Sequence, residues 1–259
     1  MQAHRRSHVG AQPPRPFASV RRRILIALAL LTWHGTAASQ ARVDHALGEF
    51  ESAATTNGLL IAAPHGSFDI NSDAIAKEVA RELGAGYVLA RKFAPDKVRL
   101  NVNRPTEGAS LACAQEQRSE RAGEVYTIYS RLVAAASDKP LRLFVEIHGN
   151  SLARSAQHVE VATVGISAAQ ARRVKDGYPA MLSRAIEHSP AYPELNLLIE
   201  PLDSMYFTAS CAKSIGIFAT KFGQPAIHIE FPRAARESRN LQGSASLAAD
   251  IVRSIMQRE

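Results

Sequence analysis

Two histidines of this sequence directly follow predicted strands, and each histidine is followed by glycine. His65 comes after the run at residues 58–63, and His148 comes after the run at residues 141–147. Glycine lets the backbone turn sharply, so that a ligand can approach the chain closely. Asp69 adds a carboxylate four residues after His65. Two imidazoles and a carboxylate can bind zinc and leave its fourth position open for the water that hydrolytic zinc requires.

A structural role for each histidine stays open, because a single histidine at the end of a strand is more often structural than a metal ligand. Two histidines in the same context favour the metal site. The carboxylate has a rival in Asp73, which lies in the cluster Asn71-Ser72-Asp73. Side chains of this kind favour the start of a helix, so Asp69 is the preferred ligand. Without either aspartate, the zinc hypothesis loses most of its support.

An asparagine and an arginine occur together after the short strand predicted over residues 97–102. The planar guanidinium of Arg104 suits a substrate carboxylate, which it can bind through two parallel hydrogen bonds. Asn103 stands directly before it. An ion pair between Arg104 and a nearby acidic loop residue is an equally open alternative. The segment therefore predicts either a carboxylate-binding site or a structural ion pair.

A glutamate interrupts the last predicted strand, at residues 226–231. Alternation places Ile227 and Ile229 on one face of this strand, and His228 and Glu230 on the other. A carboxylate in an otherwise apolar strand is costly unless it has a partner or a function. We therefore expect Glu230 to act as general base for a zinc-bound water, taking its proton and passing it to the leaving amine. For His228 a structural role is expected.

Three further residues are candidates for supporting roles. Glu146 lies two residues before His148 on the same strand face, so it can orient the histidine or simply place a charge at the end of the sheet. Cys113 and Cys211 are the only cysteines of the chain. One disulfide in an oxidising compartment suits this number, and two unpaired thiols are an equally open alternative.

The elements that must position these residues alternate between strands and helices. This order predicts a single α/β domain, whose central mixed, largely parallel sheet carries helices on both faces. In such sheets chemistry gathers at the carboxyl ends of strands. The predicted strands lie at 58–63, 86–90, 97–102, 141–147, 158–164 and 226–231, and the predicted helices at about 72–83, 114–136, 167–188 and 243–257.

The positive charge of the chain is concentrated at its beginning. The 259 residues include 31 Lys and Arg against 24 Asp and Glu, with a pI near 9.7. Residues 1–40 hold six arginines and no acid, so 25 basic and 24 acidic residues remain after them. An Arg-rich start, an apolar stretch at 24–33 and small residues at 35–41 predict a secretory signal peptide, cleaved near residues 38–41. The near-neutral remainder, residues 41–259, predicts no nucleic-acid partner, and no later apolar run is long enough to span a membrane.

Four segments together resemble a known family. PHGSFD, NVNRPTEG, VEIHGN and IHIEFPR are similar to motifs of the N-formylglutamate amidohydrolase-like family and of the related phage poly-γ-glutamate hydrolases, both in the wider zinc carboxypeptidase-like group. The resemblance covers roughly residues 58–235 and implies a mixed sheet flanked by helices and one catalytic zinc ion. It implies metal binding by His65 and His148, a grip on the substrate carboxylate by Asn103 and Arg104, and catalysis by Glu230.

The sequence departs from that group at the second metal ligand. Many zinc carboxypeptidases use His-x-x-Glu for the first two ligands, whereas the nearest acid here is Asp69. With this ligand in place, we expect a periplasmic or secreted zinc-dependent hydrolase. Its substrate would be an N-acyl amino acid, a γ-glutamyl peptide or a cell-wall peptide with a free carboxylate. The alternative is a non-catalytic periplasmic protein that binds a metal or an acidic ligand on the same scaffold.

Overall fold

The computed structural model describes residues 40–108, 112–136, 140–219 and 225–257. The predicted signal peptide and its cleavage region up to residue 39 lie outside the described residues. Among the residues described, no helix combines the length and the apolar character that crossing a membrane requires.

An eight-stranded mixed sheet forms the centre of the domain. The strands of the described residues are β1 (Gln40–His45), β2 (Gly48–Ala53), β3 (Leu59–Ala63), β4 (Gly86–Arg91), β5 (Leu100–Asn101), β6 (Thr106–Glu107), β7 (Leu143–Asn150), β8 (His158–Val164), β9 (Asn196–Ile199) and β10 (Ala226–Pro232). The sheet has the order β1-β2-β4-β3-β7-β10-β8-β9, and β5 and β6 pair separately. The pairings β3–β4, β3–β7, β7–β10 and β8–β9 are parallel, and the other three are antiparallel. The predicted mixed, largely parallel sheet is confirmed.

Helices cover both faces of this sheet, as predicted. They are α1 (Ser72–Leu83), α2 (Glu120–Ala135), α3 (Ala168–His188), α4 (Ser210–Ile215) and α5 (Leu241–Met256). Successive side chains of a strand point to opposite faces, so Leu59 and Ile61 of β3 pack on the side of α1, α3 and α5. Leu60 and Ala62 pack on the side of α2 and α4.

Local residue chemistry sets the ends of several helices. α1 ends at Gly84, which adopts the left-handed conformation (φ 59°) that glycine favours at this position. Before α3, the Ser167 side chain accepts a hydrogen bond from the Gln170 N–H, and the Gln170 side chain accepts one from the Ser167 N–H. This reciprocal pair is a capping box. Asn71 precedes α1 as predicted, but its side chain makes no capping hydrogen bond.

Two predicted elements have different bounds. The helix predicted over 114–136 begins only at Glu120, because the Ser119 side chain caps it by accepting from the Ala122 N–H. The short segment Cys113–Gln115 forms a separate 3₁₀ turn. The strand predicted over 97–102 shrinks to β5, because the backbone before it turns through a positive φ of 62° at Lys97.

Three strands of the sheet were not predicted, and one is longer than expected. β1 and β2 carry charged residues such as Glu49 and Glu51 between their apolar ones, and the four-residue β9 is too short to give a pattern. β7 continues three residues beyond the predicted end at 147, to Asn150. His148 therefore lies within the strand near its carboxyl end instead of in the loop that follows.

Candidate metal centre

His65, Asp69 and His148 meet at the carboxyl ends of β3 and β7, which pair in parallel. Asp69 Oδ2 lies 3.5 Å from Nδ1 of His65 and 3.4 Å from Nδ1 of His148. A tight turn after β3 brings the aspartate back, because its N–H donates to the His65 carbonyl at 2.8 Å. All three residues are buried.

The chemistry and spacing of these donors fit a metal ion. The separations of 3.4 and 3.5 Å exceed those of ordinary N–H···O hydrogen bonds. Zinc bonds of about 2.0–2.2 Å at a tetrahedral angle separate two donor atoms by about 3.4 Å. Burial, with the nearby Arg99 charge, lowers the pKa of His65 to about 3, so this imidazole is neutral and keeps a lone pair for a metal ion. Burial would also lower the pKa of His148, but Asp69 and Glu146 raise it to about 9, so a metal ion that bound there would displace a proton. The group can therefore hold a metal ion.

Asp73, the rival ligand, points elsewhere. Its Oδ2 accepts a hydrogen bond from Arg91 Nε at 2.5 Å, on the β4 side of the turn. Gly66 allows this turn to pack tightly, because a Cβ there would lie 2.9 Å from the Ala90 carbonyl oxygen and 3.0 Å from Asp73 Cβ. Asp69, and not Asp73, therefore lies beside the two histidines.

Glu146 lies beneath His148 on the same face of β7 and is fully buried. Its Oε2 lies 3.0 Å from His148 Nε2 and accepts from Asn103 Nδ2 at 2.8 Å, while Oε1 accepts from the Tyr129 hydroxyl at 2.9 Å. Burial alone would raise the pKa of Glu146, but His148 and Asn103 hold it below its usual value. A carboxylate at the second ring nitrogen orients the imidazole, so Nδ1 of His148 faces Asp69.

Arg104 is held by an acidic residue. Its Nε donates to Glu116 Oε2 at 2.7 Å and its Nη2 contacts Glu116 Oε1. The hydroxyl of Thr106 donates to the same carboxylate at 2.7 Å, and Arg104 Nη1 donates to Asn103 Oδ1 at 3.0 Å. The ion pair with a loop acid, one of the two alternatives from the sequence, is thus the arrangement present, although Asn103 and Arg104 both line the cleft beside the histidines.

Glu230 lies next to the metal-binding group on β10. The strand register pairs it with His148, and its Oε1 lies 3.1 Å from Nε2 of His228. Its second oxygen, Oε2, is buried and has no hydrogen-bond partner among the described residues. The His228 ring stacks on that of His148, with centroids 3.9 Å apart. One carboxylate oxygen of Glu230 is therefore held, and the other is unused.

A buried arginine joins the segments that carry these side chains. Arg236 follows β10 and is only 5% exposed. Its guanidinium donates to the carbonyls of Ile70 at 2.6 Å, Asn150 at 3.0 Å and Phe231 at 3.2 Å. In return, Asn71 Nδ2 donates to the Arg236 carbonyl at 2.7 Å.

Each of the three carbonyls lies within two residues of a candidate site residue, namely Asp69, His148 or Glu230. Gly149 makes this packing possible, because a Cβ at that position would overlap the Nε and Cζ atoms of Arg236. Arg236 is not among the site residues that the sequence predicts. Its only local signal was the glycine after His148.

A cleft of about 580 Å³ opens over the metal-binding group. One wall is the segment with Tyr206 and Phe207, whose N–H groups both donate to the buried carboxylate of Glu160, at 2.8 and 2.7 Å. A disulfide joins Cys113 to Cys211, which also lines the cleft. The pairing that the sequence left open is therefore present.

No family model matches the sequence, and no curated protein matches it. Solved structures similar to the chain include a metallo-carboxypeptidase from Burkholderia cenocepacia, 15% identical with a TM-score of 0.46, where the match covers 83% of this chain and 64% of that one. The chain thus spans less than two thirds of that protein. Another is a bacteriophage poly-gamma-glutamate hydrolase, 9% identical with a TM-score of 0.42 over 82% of this chain and 91% of that one.

Proposed function

We propose that this protein is a zinc-dependent hydrolase that cleaves an amide bond in a carboxylate-bearing substrate. One observation carries the proposal. Glu230 Oε2 is a buried carboxylate oxygen without a hydrogen-bond partner among the described residues, and it lies beside a group of three residues that can bind a metal ion. His65, Asp69 and His148 would hold the ion, a donor set that zinc accepts in catalytic sites. When bound, zinc supplies Lewis acidity that polarises a carbonyl oxygen and lowers the pKa of water.

Glu230 would move the proton of the reaction. Its unused Oε2 can accept a proton from the water that attacks the carbonyl carbon and then donate it to the leaving amine nitrogen. His228, 3.1 Å from the other oxygen, holds the carboxylate in this orientation. Glu146 keeps His148 turned towards Asp69 through its contact with His148 Nε2.

The proposed substrates are N-acyl amino acids, γ-glutamyl peptides and cell-wall peptides. They share an amide bond near a free carboxylate, and the cleft is lined by arginine side chains as well as by the metal-binding group. The predicted signal peptide supports a periplasmic or extracellular location for the protein. Peptides of this kind are available in these compartments.

The test is the variant Glu230→Gln, purified after zinc supplementation and assayed against these three substrate classes by release of amine. The substitution keeps the shape of the side chain and removes its basicity, so we expect zinc content to stay at the wild-type level while turnover falls by at least about 100-fold. Glu187→Gln, on an exposed position of α3, is the matched control and should be fully active.

Each result distinguishes the candidates. Retained turnover in Glu230→Gln would refute the proton-transfer role. Stoichiometric zinc without hydrolysis of any substrate in the wild type would favour the non-catalytic binding protein. A wild-type protein that binds no zinc would exclude the zinc enzyme.

A further inference from the structure

Two arginine side chains line the cleft, and they differ in their partners. Arg104 is engaged on two guanidinium nitrogens by Glu116 and on a third by Asn103. Arg99 forms no ion pair with any described acid, and its Nε is buried without a hydrogen-bond partner in the described part of the chain. The cleft therefore contains one guanidinium in an ion pair and one that has no ion-pair partner among the described residues.

An unpaired guanidinium at a half-buried position is energetically costly. The aromatic ring of Phe68, whose centroid lies 5.9 Å from Arg99 Cζ, compensates this cost only partly, since the contact of a cation with a ring is weaker than an ion pair with good geometry. Burial lowers the pKa of Arg99, while the nearby charges of Asp69, Glu116 and Glu230 act to raise it. None of these carboxylates forms an ion pair with the guanidinium, so an anion that entered the cleft could bind it directly.

A second donor without a partner lines the same cleft. Asn150 uses its Oδ1 to accept from the Leu152 N–H at 3.2 Å, while its Nδ2 is buried and has no partner among the residues described. Unused hydrogen-bond donors and a guanidinium without an ion-pair partner suit a carboxylate, because its two oxygens accept several hydrogen bonds and carry one negative charge.

We propose that Arg99 binds the carboxylate of the substrate, and that Arg104 is a structural residue whose charge is already used by Glu116. This assignment rests on the proposed function for the identity of the substrate, but the binding step itself needs neither zinc nor turnover. It replaces the role that the sequence motif implied for Arg104. The ligand class is a small acid with one free carboxylate next to an amide.

The test measures binding of N-acetylglycine to the metal-free full-length protein by calorimetric titration, with uncharged N-acetylglycinamide as the matched ligand. Removing zinc prevents the carboxylate from binding the metal instead of an arginine. We expect N-acetylglycine to bind and the amide to bind at least about 10-fold more weakly, because hydrogen bonds to charged groups are the strong ones. Arg99→Gln should weaken N-acetylglycine by at least about 10-fold.

The control Arg118→Gln removes the same charge from an exposed position outside the cleft, and should change affinity by less than about twofold, because surface charges are screened. The double variant Arg104→Gln/Glu116→Gln removes both members of the ion pair and should keep near wild-type affinity. If it does not fold, as judged by circular dichroism, Arg104→Lys serves instead, since lysine keeps the charge but not the fork.

The proposal is overturned if N-acetylglycine does not bind, if Arg99→Gln binds it like the wild type, or if the Arg104 variants lose binding while Arg99→Gln keeps it. Arg99-dependent binding in a protein that hydrolyses nothing would refute the proposed reaction and leave this assignment standing. Hydrolysis by the wild type, together with N-acetylglycine binding that Arg99→Gln does not weaken, would support the proposed reaction and refute this assignment.

Discussion

The buried carboxylate of Glu146 connects two residues that lie far apart in the sequence. It accepts from Asn103 on one side and contacts the second ring nitrogen of His148 on the other. The Tyr129 hydroxyl of α2 holds its remaining oxygen. Asn103 therefore acts on the metal-binding group through Glu146. A carboxylate behind a histidine ligand sets both the direction and the basicity of the imidazole.

Glu146→Gln should weaken zinc binding while the protein stays folded. Glutamine keeps the shape of the side chain but loses the charge, and its NH₂ group only donates, so its single carbonyl oxygen cannot replace the two oxygens that accept from Tyr129 and Asn103. We expect a loss of zinc affinity of about 10- to 100-fold, measured by competition with a chromophoric chelator. Glu187→Gln is the control, and an unchanged zinc affinity in Glu146→Gln would show that Glu146 does not orient His148.

At the scale of elements, the candidate centre depends on β3, β7 and β10, which lie side by side in the sheet. Their parallel pairing brings three carboxyl ends to one edge, so side chains distant in the chain become neighbours. The guanidinium of Arg236 then donates hydrogen bonds to three carbonyl groups just beyond these ends, and so connects the three segments. Because all three bonds come from one planar guanidinium, a shift of that group displaces all three segments together.

Gly149→Ala tests this connection. The added Cβ would overlap the guanidinium of Arg236, so the arginine must move away from the carbonyls. Overpacking of this kind destabilises by roughly 1–3 kcal/mol, and we expect zinc affinity to fall by at least about 10-fold as Asp69 and His148 lose their mutual placement. Urea unfolding and chelator competition measure the two effects.

The control is Gly123→Ala in α2, where a Cβ meets no atom within 4 Å. It should raise stability by about 0.5–1 kcal/mol, because alanine favours a helix more than glycine does, and should leave zinc affinity unchanged. If Gly149→Ala kept the zinc affinity of the wild type, the role of Arg236 in holding the three segments in place would be contradicted.

At the scale of the whole molecule, stability in acid depends on carboxylates that are paired in the folded state. Glu51 of β2 accepts hydrogen bonds from Lys77 of α1 and from Tyr87 and Arg91 of β4, so it joins three elements. Burial would raise its pKa, but these donors lower it from 4.5 to about 2. A depressed carboxyl pKa stabilises the folded state above the unfolded pKa, and this contribution is lost as pH falls towards the folded pKa.

Glu51→Gln should therefore be less stable than the wild type at pH 7, and the difference should shrink as pH falls from about 4.5 to about 2. Urea unfolding followed by circular dichroism at several pH values measures this difference. The exposed Glu187→Gln variant controls for loss of one negative charge. A difference that stays constant over the whole pH range would contradict the prediction.

The sequence by itself determined what depends on neighbours along the chain. The two-residue period of a strand placed His228 and Glu230 on one face and the apolar Ile227 and Ile229 on the other, and the structure confirms this. The strand and helix order predicted the α/β sheet with helices on both faces. Gly84 marked the end of the helix predicted over residues 72–83, because capping uses atoms only a few residues away.

Tertiary structure alone decided which side chains meet across long stretches of chain. Arg104 and Glu116 are 12 residues apart, and yet the choice between an ion pair and a free guanidinium depended on where the two side chains lie in space. Arg99, unpaired in the cleft, and Arg236, bonded to three segments, gave no pattern in sequence. Hydrogen bonds and ion pairs act within a few ångströms in space, and sheet order and loop paths, not spacing along the chain, set those distances.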